Sequence, residues 1–228
     1  MMKILILGAS GQLGRSLLDK ILSKSNNLDI TICLRSLDKV KNLDLSKIKI
    51  NYLDIQDANS IEKIFKNQSF DVLVNFLHDT SKSFNLGNDF SNNTEMIFKN
   101  IFRIIELTNP KRVIFSSSGA VYGESCDNDE GFSEDMIDIR KCKYSFKNYS
   151  SSKKTYEKKI LEWTEEEPNR RSYFIFRLFS VYGSDSRTDA KHAITEFIQK
   201  RRNNKKILVN SSKTKRSFLH LDDLSDWV

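Results

Sequence analysis

Lys3-Ile4-Leu5-Ile6-Leu7-Gly8-Ala9-Ser10-Gly11-Gln12-Leu13-Gly14 decides how this chain folds. Residues 4–7 are a short apolar run of the kind that makes a strand buried on both faces. Leu13, Leu17, Leu18, Ile21 and Leu22 then recur at helical spacing, so a helix follows directly. The glycines between them, spaced GxxGxxG, sit in the strand-to-helix turn. A glycine there permits a tight bend, and another lets the backbone come close to a bound pyrophosphate. The start of the helix offers that anion free N–H groups and a positive dipole end. Gly8, Ser10, Gly11, Gln12, Leu13 and Gly14 are therefore candidate dinucleotide-binding residues.

The same alternation continues downstream. Residues 29–34, 48–53, 70–77, 112–117 and 173–178 read as further strands. Residues 58–66 form a helix with Ile61, Ile64 and Phe65 on one side. A long helix follows Asn93, with Ile97, Ile101, Ile104 and Ile105 as its stripe, and ends near Asn109-Pro110. Residues 149–166 form a last helix that stops before Pro168. Apolar strands separated by helices imply a parallel sheet covered on both faces, the doubly wound α/β (Rossmann) architecture. Residues 1–180 are expected to form this dinucleotide-binding domain. Residues 181–228 are expected to be a smaller, partial substrate-binding region. There Leu221-Asp222-Asp223-Leu224 begins a helix with an aspartate as its N-cap. The polar stretch 124–140 reads as a long surface loop.

Composition narrows the function classes. The chain has 228 residues, 39% hydrophobic and 29% charged, enough apolar material for a core and too much for a disordered chain. Cys33, Cys126 and Cys142 are odd in number with no CxxC pair, which excludes a disulfide framework or zinc ribbon and favours a reducing compartment. No metal site is expected. No apolar run reaches the ~18 residues of a membrane helix, and no signal-peptide core is present, so the expected location is cytoplasmic, without a membrane partner. The net charge of +7 favours an anionic partner. The basic residues are dispersed, with knots at 140–147, 153–159 and 200–206. This suits a phosphate-bearing small molecule better than nucleic acid.

The end of the second strand bears on the cofactor. Leu34 stands where an acidic residue would bind a ribose 2′-hydroxyl, and Arg35 follows it. A guanidinium grips a 2′-phosphate bidentately. NADP(H) is therefore the expected cofactor, with NAD(H) as the alternative, and Arg15 is placed to help.

The remaining motifs carry a family likeness. Tyr149-Ser150-Ser151-Ser152-Lys153 matches YxxxK, and Phe115-Ser116-Ser117-Ser118-Gly119-Ala120-Val121-Tyr122-Gly123 matches a strand-five motif ending in a catalytic serine. With Asp54-Ile55, Asn93, Phe176-Arg177-Leu178-Phe179-Ser180-Val181-Tyr182-Gly183 and Arg216-Ser217-Phe218-Leu219-His220-Leu221-Asp222-Asp223-Leu224, the chain resembles the extended short-chain dehydrogenase/reductases, the NAD(P)-dependent epimerase/dehydratase family. The motifs run from residue 3 to residue 224 in that family's order.

The resemblance implies catalytic roles for Ser118, Tyr149 and Lys153, with Lys153 also holding the nicotinamide ribose. It implies adenine contacts from Asp54 and Ile55, and further cofactor contacts from Asn93, which opens the long helix, and from Phe179. Ser180 and Arg216 would meet the substrate, Arg216 gripping the diphosphate of a nucleotide-activated sugar. It also implies a homodimer through the helices after Asn93 and Tyr149. In this family residues beyond the "DDL" segment build much of the sugar pocket.

The chemistry follows from the residues themselves. Tyr149 and Lys153, at i and i+4, share a helix face. A free tyrosine, pKa ~10, is a poor base at neutral pH, and a neighbouring ammonium lowers that value. Tyr149 could then exchange a proton with a sugar hydroxyl while Ser118 holds the oxygen.

Three departures from the family pattern matter. Asn75-Phe76-Leu77-His78 puts bulk where relatives have small residues beside the cofactor. Ser180 replaces an asparagine. Gly119 and Ala120 stand where nucleotide-sugar dehydratases carry an acidic pair, so elimination of water is disfavoured. The first expectation is reduction of a keto-sugar nucleotide. C4 epimerisation comes second, and a non-catalytic NADP(H)-binding sensor or interaction protein third.

Arg35→Ala is expected to weaken NADPH binding about 10- to 100-fold and to leave NADH binding nearly unchanged. Calorimetry with both cofactors checks this, and native preference for NADH would refute it.

Overall fold

The computed structural model describes residues 1–24, 27–40, 42–77, 88–123, 131–183, 193–209, 215 and 217–228, with the backbone alone at 88–91. The first half alternates strand and helix: β1 (Met2–Leu7), α1 (Gln12–Lys24), β2 (Leu28–Leu34), β3 (Ile48–Tyr52), α2 (Ala58–Phe65), β4 (Val72–Asn75) and α3 (Asn88–Thr108). β5 (Arg112–Ser118), α4 (Tyr149–Glu166) and β6 (Ser172–Leu178) complete the main sheet. Its order is β3-β2-β1-β4-β5-β6, with every pairing parallel. The order reverses between β1 and β4. At such a reversal the crossover connections diverge and leave a crevice beyond the carboxyl ends of the strands.

Successive residues of a strand point to opposite faces, and β1 shows why the sheet is covered twice. Leu5 and Leu7 pack with Leu73 and Phe115 against Ile61 and Phe65 of α2, Ile101 and Ile104 of α3, and Tyr156 and Ile160 of α4. Ile4 and Ile6 pack with Ile32, Val74 and Ile114 against Leu17 and Leu18 of α1. Each fully buried leucine or isoleucine contributes roughly 1.5–3 kcal/mol. Polar residues start the helices: the Asp57 carboxylate accepts from the Asn59 and Ser60 amides, and Asn148 and Ser151 form a reciprocal capping box on α4.

Four features differ from the sequence expectation. The long helix begins at Asn88, so Asn93 lies inside α3 and does not open it. The first turns of α3 are polar, and periodicity marks the helix only once the isoleucine stripe begins. Within 131–140 the structure has short 3-10 turns at Glu134–Met136 and Ile139–Lys141, capped by Ser133 and Asp138. Residues 180–228 hold the expected helix at Leu221, α6 (Leu221–Trp227), and three unforeseen elements, β7 (Ser180–Tyr182), α5 (Ala193–Arg202) and β8 (Phe218–His220), with β7 and β8 paired in parallel. The N-cap of α6 is His220, not an aspartate. Its Nδ1 accepts from the Asp222 amide at 3.2 Å because the helix already starts at Leu221.

α6 returns to α1. Ser16 and Ser225 share a hydrogen bond of 2.9 Å between their hydroxyls, and Lys20 and Lys24 both hold Asp226. Leu224 joins the core on that face.

Among the described glycines the tightest approach is at Gly14, where a Cβ would lie 2.4 Å from the Gly8 carbonyl oxygen and 2.5 Å from the Ala9 Cα. Gly14→Ala is therefore expected to destabilise the protein by about 1–3 kcal/mol although alanine is the better helix former. An unchanged urea midpoint would show that α1 lifts off β1 freely.

Candidate active site

The glycine turn lies at the reversal of strand order. Gly8 has φ +82°, and a Cβ there would fall 2.8 Å from the Phe76 carbonyl carbon, so only glycine fits between the ends of β1 and β4. The Gly11 amide donates to the Gly8 carbonyl at 3.0 Å. Gly8, Ser10, Gln12 and Leu13 are half-buried and Gly11 is exposed, whereas Gly14 is buried. The first five can face a ligand, while Gly14 serves the approach of helix to strand. This cradle fits a pyrophosphate: bare backbone with a helix N-terminus behind it. Leu77 is half-buried and packs against the core cluster that holds Ile61, Phe65 and Ile101. His78 lies outside the described residues.

At the sheet's outer end, Arg35, Tyr52, Leu53 and Asp54 line one depression beyond β2 and β3. The turn after β3 is braced from α3. The Asn100 side chain donates to the Ile55 carbonyl at 2.6 Å, and Gln56 donates to Asn93 Oδ1. Asn93 therefore holds the turn after β3 from α3. Asn100, which sequence reasoning missed, does the same from a buried position. Arg15 reaches the Lys39 carbonyl at 3.4 Å on the turn after β2.

At the other end the three expected catalytic residues meet. Ser118 is the last residue of β5, Tyr149 the first of α4, and their side chains are hydrogen-bonded. Ser118 Oγ also accepts from the Ala120 amide at 3.2 Å. Burial raises the Tyr149 phenol above its ordinary value, and the Ser118 bond only partly offsets this. Lys153 is buried. Its Nζ donates to the Ser116 carbonyl at 2.7 Å and lies 4.8 Å from the Phe115 ring centre and 5.6 Å from that of Tyr149. Burial pulls its pKa down to about 7, against the opposing pull of Glu157.

Phe179 packs flat over Gly119, where a Cβ would meet its ring at 2.5 Å, and it stacks with Tyr122 and Phe132. Ser180 opens β7 close by in sequence and is half-buried. Arg216 lies outside the described residues. Among the described residues no cluster of histidine, cysteine, aspartate or glutamate could hold a metal ion.

Sequence reasoning also missed Ser117, Glu157 and Arg177. Ser117 donates to the fully buried Glu157, which Arg177 grips from β6 at 2.9 Å. Two signals were available: Glu157 lies one helical turn after Lys153, and Arg177 is a charge inside an apolar strand.

The Lys153 shift has a defined sign. Unfolded, a lysine titrates near ~10.4; folded, this one titrates at about 7. Below pH 7 both states are protonated and the cost of burying the charge is present in full. Between the two values the unfolded chain binds a proton that the folded protein does not, so this group makes stability rise with pH. Urea denaturation of wild type and Lys153→Met at pH 6.5 and 9 is expected to show the wild type gaining on the variant. A pH-independent difference would refute the shift.

The chain is similar to known proteins in sequence and in fold. A family model described as the NAD dependent epimerase/dehydratase family matches residues 4–228. The chain is 31% identical to bifunctional UDP-glucose 4-epimerase and UDP-xylose 4-epimerase 3 of Arabidopsis thaliana, over 53% of this chain and 38% of that one. It is 22% identical to N-acetyl-alpha-D-glucosaminyl-diphospho-ditrans,octacis-undecaprenol 4-epimerase of Escherichia coli O157:H7, over 99% of this chain and 61% of that one. It thus spans less than two thirds of either relative. UDP-glucose 4-epimerase of Thermotoga maritima, solved with UDP-glucose, has the same fold, with a TM-score of 0.78 at 19% identity over 99% of this chain and 71% of that one. The ordered motifs, the strand order and a family model matching almost the whole chain together show that this protein belongs to the NAD-dependent epimerase/dehydratase family.

Proposed function

We propose that the protein epimerises a nucleotide-activated sugar at C4, with a UDP-sugar as the first substrate to try. The observation that carries this is the Tyr149–Ser118 hydrogen bond with Lys153 behind it, at the crevice that also holds the glycine turn. A nicotinamide dinucleotide bound across that crevice would take a hydride from the sugar carbon and return it. The chain's own residues handle the proton. Tyr149 accepts it from the sugar hydroxyl, Ser118 holds the oxygen as it becomes a carbonyl, and the Lys153 ammonium favours the phenolate. The proton returns from Tyr149 to the same oxygen, so no residue changes state over a full cycle.

Keto-sugar reduction would use the same three residues. The epimerase reading is favoured because the similar curated proteins carry 4-epimerase names. Gly119 and Ala120 after Ser118 supply no acid or base for elimination. The family description names NAD, and the case for NADP(H) rests on Arg35 beside Asp54. Cofactor binding by residues 1–180, sugar binding by residues 181–228, a homodimer through α3 and α4, and a cytoplasmic location belong to the same proposal.

Interconversion of UDP-glucose and UDP-galactose, followed by chromatography without net change in the cofactor's redox state, is the direct assay. Stoichiometric NADPH oxidation with a keto-sugar nucleotide would establish reduction instead. Tyr149→Phe is expected to cut turnover by ~10²–10⁴ while dinucleotide affinity holds. Near-native turnover in that variant would refute the assigned chemistry and favour a binding or sensor role.

A further inference from the structure

One face of α4 meets three successive serines of β5. Tyr149 is bonded to the Ser118 hydroxyl, Lys153 donates to the Ser116 carbonyl, and Glu157 accepts from the Ser117 hydroxyl. The three α4 residues are spaced i, i+4, i+8, which aligns them on the helix. The proposed chemistry uses the first two. Glu157 is 1% exposed and has so far been given no task.

A buried carboxylate needs partners, and Glu157 has them on two strands. Ser117 donates from β5. Arg177 sits opposite Ser117 in the β5–β6 register and donates from Nε at 3.2 Å and from Nη2 at 2.9 Å to Oε2. Arg177 Nη1 also donates to the Tyr122 hydroxyl at 2.8 Å and the Glu134 carbonyl at 2.9 Å, which ties down the turn leaving Ser118. Stability alone is a poor account of this arrangement, since a buried ion pair rarely beats apolar residues of the same volume.

We propose that Glu157, held by Ser117 and Arg177, is a positioning residue for the Ser118–Tyr149–Lys153 set: its buried carboxylate, one turn beyond Lys153 on the same face of α4, is the fixed negative charge that holds the Lys153 side chain in place at the Ser116 carbonyl. This rests on the functional reading above. Burial lowers the Lys153 pKa, and the Glu157 carboxylate one turn along the same buried face opposes that pull. A neutral amine would leave Tyr149 without the charge that makes it a base. The titratable groups around Lys153 are Glu157 and Tyr149 on its own helix, Arg177 on β6 and Tyr122 on the turn after β5. β5 meets it with the Ser116 carbonyl and the Phe115 ring, and α3 meets α4 through Phe98 and Phe102 about Tyr156.

The test is an NMR titration of the full chain, with no ligand added, carrying 13C-labelled lysine. The Lys153 signal is assigned by its loss in Lys153→Met. Glu157→Gln is expected to lower the Lys153 midpoint by about one pH unit or more, and Glu157→Asp to restore most of it. In the epimerase assay at pH 7, Glu157→Gln should lower kcat about tenfold with KM unchanged. Should Glu157→Gln fail to fold, Glu157→Leu/Arg177→Met leaves no lone buried charge and carries the same expectation. A Lys153 midpoint that ignores Glu157 in either folded variant overturns the proposal and leaves the role of Tyr149 standing. Turnover that survives Tyr149→Phe would instead sink the functional reading, with the Lys153 titration still readable.

Discussion

Backbone lies against backbone where α1 begins: a methyl group on Gly14 would come within 2.4 Å of the Gly8 carbonyl oxygen. The rest of the structure hangs on that approach. It lowers α1 until Leu17 and Leu18 reach the face of the sheet formed by Ile4, Ile6 and Ile32. It aims the start of the helix along the crevice between β1 and β4, where bare amides and the helix dipole favour an anion. Because α6 docks on α1 through Ser225, Asp226 and Leu224, the position of the C-terminal helix follows from the same contact. A bulkier residue at Gly14 would shift both the phosphate end and the distant helix.

The opposite side of the crevice is built on another principle. α4 buries Ser152, Lys153, Thr155 and Glu157 as well as Tyr156, Ile160 and Trp163. Apolar packing tolerates small slides of one element on another, because one set of contacts replaces the next at little cost. Hydrogen bonds do not, since a buried polar atom moved from its partner loses the bond and has no water to replace it. Lys153 on the Ser116 carbonyl, Ser117 on Glu157, and Thr155 on the Ser145 carbonyl at 3.0 Å thus fix α4 against its surroundings. The proton transfer proposed for Tyr149 needs that fixity, because reach is set to within tenths of an ångström.

The main sheet was legible because its signals are local. The run Ile4-Leu5-Ile6-Leu7 and the glycines after it identify strand, turn and helix without knowledge of the rest, and YxxxK places two side chains on one helix face wherever that helix lies. What was not legible depends on contacts between distant segments. Asn93 moved from the helix start to its interior because polar first turns carry no periodicity. His220 became a cap through a ring nitrogen that propensity does not anticipate. β7 and β8 are three residues each and gain their pairing only from the fold around them. Glu157 looked like one more charge in a lysine-rich stretch. Its burial follows from Arg177, twenty residues later in the chain and on the neighbouring strand.

The electrostatics explain why that late-appearing pair matters. Desolvation acts on Tyr149 and Lys153 in opposite senses: it raises the phenol's pKa and lowers the amine's. Both effects disfavour the charged pair, phenolate with ammonium, that the proposed chemistry calls for. Burial is nevertheless needed, because a phenolate exposed to water is screened from the cation that stabilises it. The conflict is resolved only by fixed charge placed inside the same low-dielectric region. Glu157 supplies it one turn beyond Lys153, with Ser117 and Arg177 bonded to its carboxylate. The ladder Tyr149–Lys153–Glu157–Arg177 therefore alternates acid and base from the crevice inward, so that each buried charge is answered by the next.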